Sequence, residues 1–278
     1  MKQGRQPSLI VLENVCGALT SHDGEDFAAI CTALQRSGYR FGALVLDAAH
    51  FLPQSRPRLF IVAHRKDYDG AETLASTGPI SPWHTRGVFS AFQKLPDICK
   101  ANWVWWKLPS APTRRGSLED LIDKEPVGVK WHTGGETRKL LAMMSDLHRS
   151  KVAQALGEGK RTVGCIYKRM RVDEHGNRVQ RAEVRFDGFS GCLRTPVGGS
   201  SRQIVIEIEK NRINSRLLSP REAARLMGLP DSYLLPEKYN DAYHLAGDGV
   251  AVPVVRFLAR YLLEPLLKSV ESQKSEAA

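Results

Sequence analysis

Apolar and polar positions fall into blocks along this chain, and the blocks predict its elements. Residues 9–12 (Leu-Ile-Val-Leu) form an unbroken apolar run. Such a run predicts a strand covered on both faces, as in a parallel α/β sheet. Between residues 24 and 38, Phe27, Ile30, Cys31 and Leu34 recur at i, i+3, i+4 and i+7. That spacing predicts an amphipathic helix, with Gly38 as its stop. Residues 41–46 and 58–63 are a second and a third apolar run. Strand, helix, strand, loop, strand is an α/β order.

The pattern loosens after residue 80. Residues 80–215 hold all five tryptophans, with scattered glycine and proline and weak periodicity. A helix is predicted within 139–155 and strands at 163–171 and 182–186. The stretch 193–203 (Leu-Arg-Thr-Pro-Val-Gly-Gly-Ser-Ser-Arg-Gln) is a loop by composition. Order returns at Ser219-Pro-Arg-Glu222, a capping box with proline at the first helical position. Ala223, Ala224, Leu226 and Met227 supply its apolar side, with Leu217 just before it. Gly228 ends the helix and Pro230 prevents its renewal. Pro253 is tolerable in the first turn of a last helix running to about residue 267. That helix carries Val254, Val255, Phe257, Leu258, Tyr261, Leu262 and Leu263, too many apolar side chains for one buried stripe.

Charge sharpens this division. The 278 residues carry a net +10. Residues 1–79 hold 8 basic and 8 acidic side chains, and 216–278 again 8 of each. Residues 80–215 hold 24 basic against 14 acidic, so the whole excess lies there. A localised excess between neutral flanks is an electrostatic footprint for a polyanion. With 42% hydrophobic residues a packed core is expected. No apolar stretch reaches the ~18 residues of a membrane helix, and no secretory core follows the basic start, so a cytoplasmic protein is expected. Five widely spaced cysteines, with no Cys-x-x-Cys, argue for reduced thiols and against a disulfide framework or a metal site.

Three stretches carry candidate chemistry. Glu13 and Asn14 close the first run, and ligands of open α/β sheets bind outside the carboxyl ends of the strands. Taken alone, such a carboxylate more often caps a loop or pairs with an arginine. Gln54, Arg56 and Arg58 stand at alternate positions. If extended, they share one face and could grip a carbonyl, a carboxylate and a phosphate together. A solvated basic edge strand is the plainer account. The 193–203 loop offers amides, hydroxyls and Arg202 to phosphates and bases, or is an ordinary surface turn.

The order of these stretches resembles the DNA (cytosine-5) methyltransferase family from its sixth motif to its tenth. Glu13-Asn14-Val15 comes first, then Gln54-x-Arg56-x-Arg58 and a basic irregular segment. Arg216-Leu-Leu-Ser-Pro-Arg-Glu-Ala-Ala-Arg-Leu-Met-Gly-Leu-Pro-Asp-Ser-Tyr233 follows, then Gly247-Asp-Gly-Val-Ala-Val-Pro-Val254. The resemblance implies a partial Rossmann-like, S-adenosylmethionine-dependent methyltransferase sheet with an inserted small, irregular β-rich target-recognition domain. The domains it implies are 1–79 and 216–278 for catalysis, with 80–215 reading DNA. It assigns Glu13, Arg56 and Arg58 to catalysis on a flipped cytosine, and Asn14, Gln54 and Arg221 to support. Asp248, Gly249 and Val250 would line the S-adenosyl-L-methionine pocket. Arg194, Thr195, Gly198, Gly199, Ser200 and Arg202 would contact double-stranded DNA, with no metal. The setting implied is prokaryotic or phage-encoded and nucleoid-associated, as a restriction companion or an orphan enzyme.

Three departures stand out. The family's Pro-Cys nucleophile and its glycine-rich F-x-G-x-G motif do not occur in these residues, and Asp248 stands where the family usually has Asn. Three readings follow: a C-terminal part acting with a separate N-terminal methyltransferase subunit, an inactive truncated remnant, and a stand-alone sequence-specific DNA-binding module.

Overall fold

The computed structural model describes residues 6–67, 71–114, 116–194 and 202–268. The chain forms two compact units, one of residues 1–47, 57–112 and 254–278 and one of 48–56 and 113–253. The boundaries expected at 79/80 and 215/216 therefore lie elsewhere, since 80–112 pack in the first unit and 216–253 in the second.

In the first unit, β1 (Leu9–Val15) is followed by α1 (Glu25–Arg36), β2 (Tyr39–Asp47) and β3 (Pro57–Arg65). The helix buries Phe27, Cys31 and Leu34, as its spacing predicts, and ends at Gly38 with φ +83°. The strand order is β1-β3-β2, with β3 antiparallel to both neighbours. β1 and β2 thus run in the same direction without pairing, and the expected parallel pairing is replaced by a central reversed strand. β2 and β3 each bury six consecutive residues, as continuous apolar runs should. β1 does not: Val11, Leu12 and Val15 are 38%, 39% and 53% exposed. It is an edge of the described sheet, so only β3 covers its backbone polar groups.

Short β4 (Ala75–Ser76) pairs with a later β5 across α2 (Arg86–Gln93) and α3 (Asp97–Lys100); β5 is Trp105–Trp106. Glycine decides why this tryptophan-rich stretch belongs here. A Cβ on Gly42 would lie 1.9 Å from Val104 O and 2.9 Å from the Trp106 ring. β2 and the stretch around residue 104 can therefore approach only because residue 42 has no side chain. Trp103 then meets Phe27 and Phe41 edge-on, with centroids 6.2 and 6.0 Å apart. Burial of these rings binds residues 80–112 to the first sheet.

In the second unit, α4 (Gly134–Ala142) and α5 (Asp146–Gly157) pack on the antiparallel strands β6 (Thr162–Val172), β7 (Arg178–Arg185), β8 (Ile204–Glu209) and β9 (Arg212–Leu217). The order is β7-β6-β8-β9. Leu140, Met144, Val152, Ile166, Val184 and Ile206 lie in its core. The β8–β9 hairpin turns at Lys210 and Asn211, with φ +48° and +60°, the conformation of a two-residue hairpin turn. The chain continues through α6 (Pro220–Leu226) and α7 (Tyr239–Asp248). Ser219 and Glu222 form the expected capping box, and Gly228 ends α6 at φ +78°.

The last helix, α8 (Val252–Leu258), runs on through a π turn at Ala259–Leu263. Val254, Leu258, Leu262 and Leu266 are buried, whereas Val255, Tyr261 and Leu267 are exposed. Its apolar surface thus exceeds one buried stripe. Among the described residues, no helix is long and apolar enough to cross a membrane, and no group of three or more His, Cys, Asp or Glu side chains could hold a metal ion.

Candidate functional site

Strand register gathers the first candidate groups. Val15 of β1 and Leu46 of β2 both lie opposite Arg58 of β3, and Asp47 lies opposite Pro57. The carboxyl ends of β1 and β2 therefore meet the start of β3 at one end of the sheet. Glu13 is diagonal to Arg58 across the β1–β3 ladder, within reach of long side chains. Arg58 Nε lies 2.9 Å from Glu13 Oε1, the arginine side chain 15% and the glutamate 31% exposed. Arg58 Nη1 also donates to Pro57 O at 3.0 Å. Asn14 Oδ1 accepts from Val15 N at 2.8 Å and fixes the strand end. The result is a half-open pair: a carboxylate able to hydrogen-bond an amidine-like edge, beside a guanidinium suited to a carbonyl or phosphate oxygen.

Cys16 follows directly, half-buried. Burial pushes its thiol above the ordinary value, and the Arg58 cation only partly offsets this. A thiol raised in this way holds little thiolate at neutral pH, so Cys16 is not poised as a nucleophile.

Gln54 and Arg56 do not share a face with Arg58. Both are nearly fully buried within the second unit. Arg56 Nη2 donates to Gly247 O at 2.9 Å and to Gly249 O at 2.8 Å, and Nη1 to Leu193 O at 2.8 Å. Gln54 Nε2 donates to Leu226 O at 2.6 Å, and its Oε1 accepts from Leu193 N at 3.4 Å. The expected three-residue grip is thus corrected. The non-strand backbone at 54–56 turns two of the side chains into braces for the 193 loop, the α6 end and the 247–249 turn. Asp248 is exposed at the last turn of α7, with Gly249 and Val250 half-buried beyond it.

Sequence reasoning missed the strongest polar group of the second unit. Arg216 and Glu222, both fully buried, pair through Nη2–Oε1 at 2.6 Å and Nη1–Oε2 at 2.8 Å. Glu222 also accepts from Ser219 N and Asp123 N, and Arg216 donates to Asp123 O. Burial acts to raise the Glu222 carboxyl, but the bonds and charge of Arg216 outweigh it and hold the group below its ordinary value. Arg225 adds pairs to Asp123 and Asp231, both at 2.7 Å. Arg221, the expected support, donates to Pro230 O at 3.4 Å. α6 therefore anchors residues 121–123 through Glu222 and Arg225. The one available signal was an arginine interrupting the apolar lead-in to the capping box.

Of the expected DNA contacts, Thr195, Gly198, Gly199 and Ser200 lie outside the described residues. Arg194 is exposed at one end of that loop. Arg202, at the other, donates to Asn240 Oδ1 at 2.5 Å and sits 5.3 Å over the Tyr239 ring. By sequence the second unit holds 25 basic against 18 acidic side chains and the first 15 against 12. The two excesses are +7 and +3, so most of the positive charge falls in the second unit.

Among curated proteins, the chain is 27% identical over 268 residues to the type II methyltransferase M1.ScrFI of Lactococcus lactis subsp. cremoris, covering 95% of this chain and 54% of that protein. It is 26% identical to the type II methyltransferase M.HpaII of Haemophilus parainfluenzae, covering 94% and 62%. The chain thus spans between half and two thirds of these relatives. Among solved structures, the Entamoeba histolytica methyltransferase EhMeth shares the fold, with a TM-score of 0.55 at 12% identity, covering 97% of this chain and 65% of that one. The α/β architecture is accordingly that of a Rossmann-like methyltransferase. The model of the C-5 cytosine-specific DNA methylase family matches residues 2–264, so the match runs through both compact units, and the chain belongs to that family.

Proposed function

We propose that this chain supplies the base-recognition and DNA-reading part of a DNA (cytosine-5) methyltransferase acting on a cytosine turned out of the duplex. The observation that carries the reading is the half-open Glu13–Arg58 pair at the carboxyl end of β1. Glu13 hydrogen-bonds the cytosine edge and favours a proton at N3, which makes C6 more electrophilic. Arg58 holds the base O2 and the neighbouring phosphate. Turning a base out costs a few kcal/mol, offset by such pocket contacts and by groove contacts. The second unit, with its +7 excess, supplies the groove and backbone contacts.

The cofactor of the reaction is S-adenosyl-L-methionine, which supplies the methyl group when bound. Asp248 fits one side of it: an exposed carboxylate, suited to ribose hydroxyls or an ammonium, on a turn whose Gly247 and Gly249 carbonyls Arg56 holds inward. The glycine-rich cradle and the Pro-Cys thiolate that attacks C6 do not occur in these 278 residues and would be supplied by a neighbouring N-terminal part of the family type. The exposed apolar side chains of β1 suit such a neighbour.

The test is reconstitution. The chain alone, with labelled S-adenosylmethionine and mixed-sequence DNA, is expected to place no label on cytosine C5. Adding a family N-terminal part that carries F-x-G-x-G and Pro-Cys is expected to restore transfer. Label incorporated by the chain alone overturns the division of labour. Failure of every N-terminal part that co-purifies with the chain favours the inactive remnant.

A further inference from the structure

The β6–β7 hairpin is longer than the sheet that holds it. β8 pairs with β6 only over residues 162–166, whereas β6 and β7 stay paired from Cys165↔Arg185 to Val172↔Arg178. Residues 167–172 and 178–183 thus continue as a two-stranded ribbon with no strand on the β8 side among the described residues. Isolated ribbons are marginally stable, and this one is stiffened from within. Glu183 accepts from Arg171 Nε at 2.6 Å, and the Arg169 guanidinium stacks 4.6 Å above the Tyr167 ring. Asp173 closes the tip by accepting from His175 N and Asn177 N.

The ribbon is rich in cations. Lys168, Arg169, Arg171, Arg178 and Arg181 lie along it, and Glu183 pairs with Arg171 and Arg169. Lys168, Arg178 and Arg181 have no anionic partner among the described residues. At its root, Lys168 and Arg169 line a recess of about 50 Å³ with Arg194, the exposed arginine that opens the expected DNA loop. Six paired positions at ~3.4 Å span about 17 Å, or roughly five phosphate spacings along one DNA strand.

Resting on the DNA-reading role above, we infer that this ribbon is a backbone-gripping arm. It lays Lys168 and Arg178, which share one face of the ribbon while Arg181 lies on the other, along duplex phosphates flanking the recognition sequence, and it sets affinity and register rather than sequence choice. Phosphate contacts position a protein without reading bases, and a rigid cationic strip tolerates any sequence.

The experiment measures binding of the full chain to duplex DNA of mixed sequence, and to one duplex holding the preferred site, from low to moderate salt. The double variant Lys168→Gln, Arg178→Gln is compared with a control of equal charge loss at exposed sites of the first unit, Arg36→Gln, Lys66→Gln. The ribbon variant is expected to lose affinity equally for both duplexes. Its log–log salt slope should shrink by roughly 2, at about 0.9 per lost phosphate contact. The control should move neither quantity by comparable amounts. A ribbon variant with unchanged slope, while the parent binds with a steep one, overturns the arm and leaves the DNA-reading role standing. A variant that changes only the ratio between duplexes makes the ribbon a base reader and overturns the inference. A parent chain that binds neither duplex overturns both.

Discussion

Glu222→Gln tests whether the second unit is held by its buried charge pair. The replacement keeps the shape and removes the charge. The carboxylate makes four bonds, two with Arg216 and one each with the amides of Ser219 and Asp123. Glutamine turns one of the two acceptors into a donor and leaves the fully buried Arg216 cation without its counter-ion. Removing one partner of a buried pair costs about 3–5 kcal/mol. For a unit of this size that is roughly a 10 °C fall in midpoint. Urea unfolding followed by far-UV circular dichroism should show a lower midpoint at unchanged slope. Trp131, whose ring lies 5.0 Å from the Arg216 guanidinium, gives a local fluorescence probe. Replacing both residues with apolar ones should cost much less than the sum of the single changes, because no charge is then stranded. The pH dependence has a fixed sign. The Glu222 carboxyl is depressed in the folded state, so its contribution is complete above the ordinary glutamate value of about 4.3. It is lost as pH falls below that, through the folded value. Single variants that each cost under about 1 kcal/mol and add independently would refute the reasoning.

Three further outcomes are expected. In the reconstituted enzyme, Glu13→Gln should slow methylation by about 10²–10⁴-fold, the usual worth of acid–base assistance, while DNA affinity stays within a few-fold; a variant at full rate removes the role. Arg56→Lys keeps the charge but loses the forked hold on Gly247 O, Gly249 O and Leu193 O. At about 1.5–3 kcal/mol for a charged hydrogen bond, it should destabilise the second unit measurably in urea. It should also raise the KM for S-adenosylmethionine more than it lowers kcat. Cys16→Ala should leave the reconstituted rate unchanged, and the Cys16 thiol, raised by burial, should alkylate slowly at neutral pH; rapid alkylation or a lost rate refutes its passive role.

Much of the fold was legible because periodicity reports burial. Phe27, Cys31 and Leu34 mark α1, and the runs at 41–46 and 58–63 mark β2 and β3, since those strands are covered on both faces. The same cue misled at β1. A Leu-Ile-Val-Leu run reads identically whether its cover lies within the chain or outside it, and Val11 and Leu12 are exposed here. Periodicity is also silent on strand direction, so the central reversed β3 was not predicted. The β8–β9 hairpin was missed because its turn is Lys210-Asn211, without the glycine that announces such turns. The membership of residues 80–112 rested on one close approach, at Gly42, which no local pattern encodes.

The candidate site divides along the same physical line. Glu13 was singled out because it closes an apolar run at the carboxyl end of a strand, where open α/β sheets bind ligands. Its arginine partner, offered as the plainer account, proved to be Arg58 itself, so pairing and candidate chemistry are one arrangement. Gln54, Arg56 and Arg58 were read as one face because alternate spacing implies it in a strand. The strand begins only at Pro57, and the two residues before it that bear long polar side chains turn inward to satisfy backbone carbonyls 130 or more positions away in sequence. Such carbonyls are obligatory acceptors, yet no sequence pattern shows which donor will reach them. Arg216 and Glu222 were hidden for a related reason. Glu222 was explained as soon as it completed a capping box, and one sufficient local role concealed a second. A buried carboxylate has four acceptor sites, and the capping box uses one. Wherever a capping glutamate is followed by a fully apolar face, as Glu222 is by Ala223 and Ala224, the remaining acceptors call for a cation nearby. The first arginine upstream is the residue to test.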